Sequence, residues 1–218
     1  MNNKIKINNL VAFIAFVIFA IIAVGVLTDA SWVHAVDKAG QSVVRPNGSY
    51  SDFGKTFFTW VTFLAQPITA MGLTAVVAII ALLVKKNVRV AAFIVVNVVA
   101  GAGVMWLIKQ VIRRARPEVA NRLVEENGFS FPSGHSTNAM VFYGGLLVLA
   151  LLFIKEKKAL KIAIVSVLAV IVLAIPISRV YLGVHYPTDV LGGLMLGLII
   201  LTVSTNLILL PNTIKSNK

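Results

Sequence analysis

Residues 10–27 read LVAFIAFVIFAIIAVGVL, 18 positions without a charge, an amide or a proline. The apolar region of a secretory signal is ~7–15 residues and runs into a small-residue cleavage site. This run is longer and leads into Thr28-Asp29-Ala30-Ser31-Trp32. It reads as an uncleaved first membrane span, because ~20 apolar residues cross the hydrocarbon core. Five further apolar runs follow, at residues 57–84, 90–108, 136–154, 162–177 and 189–210. The predicted fold class is therefore all-α: an integral membrane bundle of six transmembrane helices, forming a single membrane-embedded domain over residues 1–218. The second run exceeds what a span needs, and Gln66-Pro67 marks a kink or a tilted outer portion within it. Residues 28–56 form the first substantial loop, with a turn signal at Pro46-Asn47-Gly48 and room for helix. Gly193 and Gly197 stand at the spacing that lets two helices approach closely.

Composition agrees with this outline. The chain is 58% hydrophobic and 13% charged, with a mean hydropathy of +0.91, against about 45–50% and 25% in soluble domains. It contains no cysteine, which excludes a disulfide framework, thiolate catalysis, iron–sulfur clusters and zinc sites built on sulfur. A net charge of +12 on a soluble protein would suggest nucleic acid. Here most basic residues flank apolar runs, where lipid phosphates and topology account for them, and no nucleic-acid partner is expected. With both termini cytoplasmic, the inner segments carry 11 Lys and Arg, including Lys215 and Lys218 of the tail, and the outer ones 9. Six of those nine, Lys109, Arg113, Arg114, Arg116, Arg122 and Arg179, crowd into two segments and need an explanation other than topology. Trp32, Trp60 and Trp106 fall near the same outer boundary.

Two of the three histidines, His135 and His185, lie beside these cations. Lys109, Arg116 and Arg179 together suit a group of two or three negative charges, since guanidinium forks match phosphate oxygens. Pro132-Ser133-Gly134-His135 opens the fourth span, so its backbone N–H groups belong to a helix N-terminus, and Gly134 permits close backbone approach. His185-Tyr186-Pro187-Thr188-Asp189 opens the sixth, with Asp189 in the first turn. There Asp189 can accept a hydrogen bond from one nitrogen of His185, leaving the other free as a nucleophile.

The set Lys109-x6-Arg116-Pro117, then Pro132-Ser133-Gly134-His135, then Ser178-Arg179-x5-His185-x3-Asp189 closely resembles the three-part signature of the type 2 phosphatidic acid phosphatase superfamily, the lipid phosphate phosphatases. Every signature position matches. The resemblance implies a metal-independent phosphoric monoester hydrolase that needs no cofactor and works through a phosphohistidine. It implies that Lys109, Arg116 and Arg179 clamp the phosphate, helped by Ser133 and the Gly134 amide. His185 would attack phosphorus with Asp189 orienting it, and His135 would protonate the leaving oxygen and then activate water. The expected partner is a phospholipid or polyprenyl phosphate in the bilayer, such as phosphatidylglycerophosphate, phosphatidic acid or undecaprenyl diphosphate, and the site would face the extracytoplasmic side of the cell membrane.

Rivals from other classes are a transporter and a non-catalytic lipid-binding protein. The scarcity of ionisable residues in mid-span argues against transport. Arg113, Arg114 and Arg122, outside the signature, are expected to be solvated or to attract lipid headgroups. His34 is expected to be structural, and Asn97 to pack helices through a hydrogen bond.

Overall fold

The computed structural model describes residues 3–210. The basic tail with Lys215 and Lys218, and hence the side taken by the C-terminus, lies outside the described residues. Among those described there are helices and no strands: α1 (Asn3–Leu27), α2 (Ser31–Val44), α3 (Asp52–Phe63), α4 (Pro67–Leu83), α5 (Val88–Ile112), α6 (Gly134–Phe153), α7 (Lys158–Tyr181) and α8 (Pro187–Leu209). Helices α1, α5, α6, α7 and α8 are each long and apolar enough to cross a membrane, and the pair α3 and α4 makes a sixth crossing if counted as one span. At 25 residues α5 is about 37 Å long. Outward faces stay apolar, as at Phe13, Phe16, Val99, Val170 and Leu207, which is the arrangement lipid requires.

The expected single span at 57–84 is built as two helices bent by 45°. Pro67 is the cause: it cannot donate to a preceding turn, and it forces Gln66 into extended backbone at ψ 145°. The carbonyls freed at the break find donors on α6. Tyr143 Oη donates to Leu64 O at 2.8 Å, and Asn138 Nδ2 to Ala65 O at 3.2 Å. The expected loop at 28–56 is largely helical, since α2 and the first turns of α3 lie within it. Asn97 does pack helices: its Oδ1 accepts from Ser204 Oγ at 2.8 Å, tying α5 to α8.

Successive crossings alternate in direction, so the C-terminal ends of α5 and α7 and the N-terminal ends of α6 and α8 share one end of the bundle. Small residues set how closely α6 and α8 meet there. A Cβ on Gly193 would lie 2.5 Å from Ser133 O, and one on Gly197 would lie 2.6 Å from Met140 Cβ. This contact positions the first turn of α6 against the first turn of α8. Gly193→Ala is expected to lower stability by about 1–3 kcal/mol through overpacking, whereas Gly103→Ala, with nothing within 4 Å of its Cβ, should leave it unchanged or slightly higher. Thermal unfolding of the two variants in detergent checks the contrast.

Candidate active site

A cavity of about 390 Å3 opens at this end of the bundle, and Lys109, Arg116, Glu126, Gly134, His135 and His185 line its polar side. Pro67, Met105 and Trp106 give it an apolar wall. Helix α5 ends because Arg113 takes a left-handed conformation at φ 49°, which turns the chain back across the mouth of the cavity. Lys109, in the last turn of α5, donates to Phe129 O and to Ser130 O. Ser133 caps α6 by accepting from Ser136 N, and its own N–H donates to Asp189 O at 3.0 Å. His135 follows in the first turn, and its buried Nε2 has no hydrogen-bond partner among the described residues.

His185 is 2% exposed. Arg116 Nη1 donates toward His185 Nε2 at 3.1 Å, and a guanidinium has no acceptor, so Nε2 carries the lone pair and Nδ1 the proton. That proton faces Asp189 Oδ2, 3.4 Å from Nδ1, and Ser130 Oγ, 3.3 Å from it. Asp189 has no exposed surface. Its Oδ2 also accepts from Tyr186 N at 2.9 Å and from Ser130 Oγ, and its Oδ1 accepts from Arg114 Nη1 at 2.7 Å. Arg179, 2% exposed, donates from Nη1 to Thr62 Oγ1 at 2.8 Å and from Nη2 to Glu126 Oε2.

The structure thus brings Lys109, Arg116, Gly134, His135 and His185 to one cavity, with Asp189 behind His185 and Arg179 reached through Glu126. Ser133 does not join them at the cavity wall. It is fully buried, and its hydroxyl serves the α6 cap and Ser136 Oγ. Arg114 overturns the expectation of a solvated residue: it bridges Asp189 Oδ1 and Asp37 Oδ2, donates to Thr188 Oγ1 at 2.8 Å, and stacks over the Tyr186 ring at 4.2 Å. Arg122 staples its own loop by donating to Pro117 O and Glu126 O. Arg113 is exposed as expected, and His34 pairs with Asp29 at the surface.

Comparison with known proteins identifies the family. The model of the PAP2 superfamily matches residues 88–210, more than half of the chain. The chain belongs to the PAP2 superfamily. It is 50% identical over 97 residues to phosphatidylglycerophosphatase B of Bacillus subtilis (strain 168), a match covering 43% of this chain and 46% of that protein. It is 33% identical over 106 residues to undecaprenyl-diphosphatase BcrC of the same organism, covering 47% and 49%. The matched region is therefore about half the length of these curated relatives. The crystal structure of a transmembrane PAP2 type phosphatidylglycerolphosphate phosphatase from Bacillus subtilis superposes with a TM-score of 0.78 at 29% identity, covering 90% of this chain and 94% of that one. The protein is an all-helical, multi-pass membrane member of the family.

The PAP2 match leaves out α2, yet α2 supplies Asp37, which is 3% exposed and accepts from Thr188 N at 2.9 Å as well as from Arg114. Asp37, Arg114, Ser130 and Glu126 are the site residues that sequence reasoning missed. One signal pointed to the two acids: the chain has only 8 Asp and Glu, and an acid standing among Lys and Arg at the end of a membrane bundle is a strong candidate for an ion pair.

Burial pushes the His185 imidazole down to about 3, with Asp189 offsetting part of the effect and Arg116 adding to it. Burial also lowers the Arg116 guanidinium. At Arg114 burial acts in the same sense, but Asp189 and Asp37 outweigh it and hold the group above its ordinary value. His185 is thus neutral at physiological pH, as a nucleophile must be. Below pH 6.5 the unfolded chain takes up a proton at His185 that the folded chain refuses until about 3. The stability contributed by the neutral form is complete above 6.5 and is lost as pH falls through that window. His185→Gln should therefore lose less stability than the parent between pH 7 and pH 5, by on the order of 1–2 kcal/mol. Thermal unfolding at the two pH values measures this, and equal losses would contradict it.

Proposed function

We propose that the protein is a metal-independent membrane lipid phosphatase that removes a terminal phosphate through a phosphohistidine on His185. The observation that carries the reading is the orientation of His185: Nδ1 faces Asp189 and Nε2, held by Arg116, faces the cavity shared with Lys109 and His135. In the first step the Nε2 lone pair forms a bond to phosphorus. The bond to the lipid oxygen breaks, and that oxygen takes a proton from His135. In the second step His135 removes a proton from water, whose oxygen bonds to phosphorus as the P–N bond breaks, releasing inorganic phosphate and restoring His185. Lys109, Arg116 and Arg179 hold the equatorial oxygens, where charge resides in phosphoryl transfer, so cations fixed by the protein supply what magnesium supplies elsewhere. The Gly134 amide adds a donor at the start of α6, and Ser133 acts by capping that helix.

A lipid substrate suits a cavity at the end of the spans with one apolar wall, since the headgroup reaches the site while the chains stay in the bilayer. Phosphatidylglycerophosphate and phosphatidic acid are the proposed substrates, the first in line with the activity named for the relative of 50% identity. Undecaprenyl diphosphate is the second reading, favoured by the relative named for that activity. We place the site on the extracytoplasmic side, in a single membrane-embedded domain with cytoplasmic termini. Each of the six crowded cations has a polar partner within the protein, and setting them aside leaves Lys38, Arg45 and Lys55 as the outer charges.

The test is inorganic phosphate release in EDTA from phosphatidylglycerophosphate, phosphatidic acid and undecaprenyl diphosphate by detergent-solubilised protein. Release is expected to survive chelation and to fall at least about a thousandfold in His185→Ala, and the relative rates rank the lipids. A variant with parental turnover would remove His185 as nucleophile, and no release from any lipid would favour a lipid-binding role.

A further inference from the structure

The cavity already holds an anion of the protein's own. Glu126 lies on the connection between α5 and α6, and its carboxylate is paired with Arg179 Nη2 and stands 3.7 Å from Arg116 Nη2. Both guanidinium groups belong to the set that receives phosphate. Among the described residues Arg179 contacts nothing else of negative charge: Nη1 donates to Thr62 Oγ1, and the buried Nε has no partner there. An arriving anion therefore exchanges with the Glu126 carboxylate at Arg179. The side chain has room to leave, being 27% exposed. The backbone on either side stays anchored when it does, because Arg116 donates to Asn127 O at 2.9 Å and to Gly128 O at 3.0 Å, and Arg122 donates to Glu126 O at 3.4 Å.

The exchange depends on charge. A bilayer surface is crowded with phosphodiester headgroups carrying one negative charge at phosphorus, whereas a terminal phosphate carries about 1.5–2. A ligand with one charge gains little by replacing a carboxylate of equal charge, and the carboxylate holds an advantage because it is tethered and gives up no translational freedom on binding. A ligand of nearly two charges gains the surplus attraction of Arg116, Arg179 and Lys109. We propose that Glu126 is a specificity-determining residue, an internal competitor that bars phosphodiester lipids from the anion site and yields to a terminal phosphate. The proposal rests on the reading of Arg116 and Arg179 as phosphate ligands. It assigns specificity to a built-in obstacle as well as to attraction, a common way to discriminate between similar ligands.

The experiment measures hydrolysis of phosphatidic acid by the full chain in non-ionic mixed micelles as phosphatidylglycerol, a phosphodiester, is added at constant surface dilution. In Glu126→Gln the inhibition constant for phosphatidylglycerol is expected to fall roughly tenfold relative to the parent, while Glu126→Asp stays close to the parent. A Glu126 that only tethers its loop would raise KM on substitution without adding sensitivity to phosphatidylglycerol, and equal sensitivity in parent and Glu126→Gln overturns the proposal. A parent without turnover overturns the phosphatase reading itself, so the two failures are distinguishable. A second measurement needs no variant: modification of Glu126 by a water-soluble carbodiimide, read by peptide mass spectrometry, should quicken when orthovanadate binds, as the carboxylate is expelled from its pair with Arg179. Unchanged or slower modification with vanadate bound contradicts displacement.

Discussion

Arg114 lies between two buried carboxylates, donating to Asp189 on one side and to Asp37 on the other. The rest of the site depends on that bridge. Asp189 has no exposed surface, and a carboxylate so placed is retained only when its lone pairs are filled and a cation stands beside it. Arg114 donates to Oδ1, Tyr186 N and Ser130 Oγ donate to Oδ2, and His185 Nδ1 faces Oδ2 beside them at 3.4 Å. The tautomer of His185, and hence the availability of Nε2, follows from how Asp189 is held. Removing one member of such a buried set costs about 3–5 kcal/mol because it strands a charge, so the bridge also ties α2 and the 113–133 connection to α8.

The same economy governs the membrane-embedded part. With no water to satisfy freed backbone groups, the break before Pro67 is tolerated because Tyr143 and Asn138 on α6 donate to its carbonyls. These two residues follow His135 in the helix that opens the site. The break therefore packs against the same element that carries the proton-transfer candidate, and Pro67 lines the cavity.

Much of this was legible in the sequence, for identifiable reasons. Spans are read from apolar runs because lipid imposes length and composition together: five of the six expected crossings fall on single helices, and the second falls on a bent pair that makes a sixth if counted as one span. Lys109, Arg116, His135, Arg179, His185 and Asp189 converge because each sits at a helix end or in the connection just beyond it, and the crossings alternate. What the sequence concealed are long-range partnerships. Nothing local distinguishes Arg114 from its neighbour Arg113, yet one is a half-buried bridge and the other is exposed. Asp37 stands 151 residues from Thr188, its hydrogen-bond donor. The phosphate role that the family resemblance implies for Ser133 falls on a hydroxyl that accepts from Ser136 N and Ser136 Oγ within its own helix turn.

The central claim is that His185, held neutral and aimed by Asp189, forms the covalent bond to phosphorus. Incubating His135→Ala with 4-nitrophenyl phosphate, whose phenolate leaves without a proton from His135, quenching in alkali to preserve phosphoramidates, and analysing peptides by mass spectrometry tests it directly, since the first step is spared and water is slow to resolve the intermediate. The account predicts a phosphoryl group on His185 alone. A phosphoryl group on another residue, or product formed with His185 never modified, would contradict it.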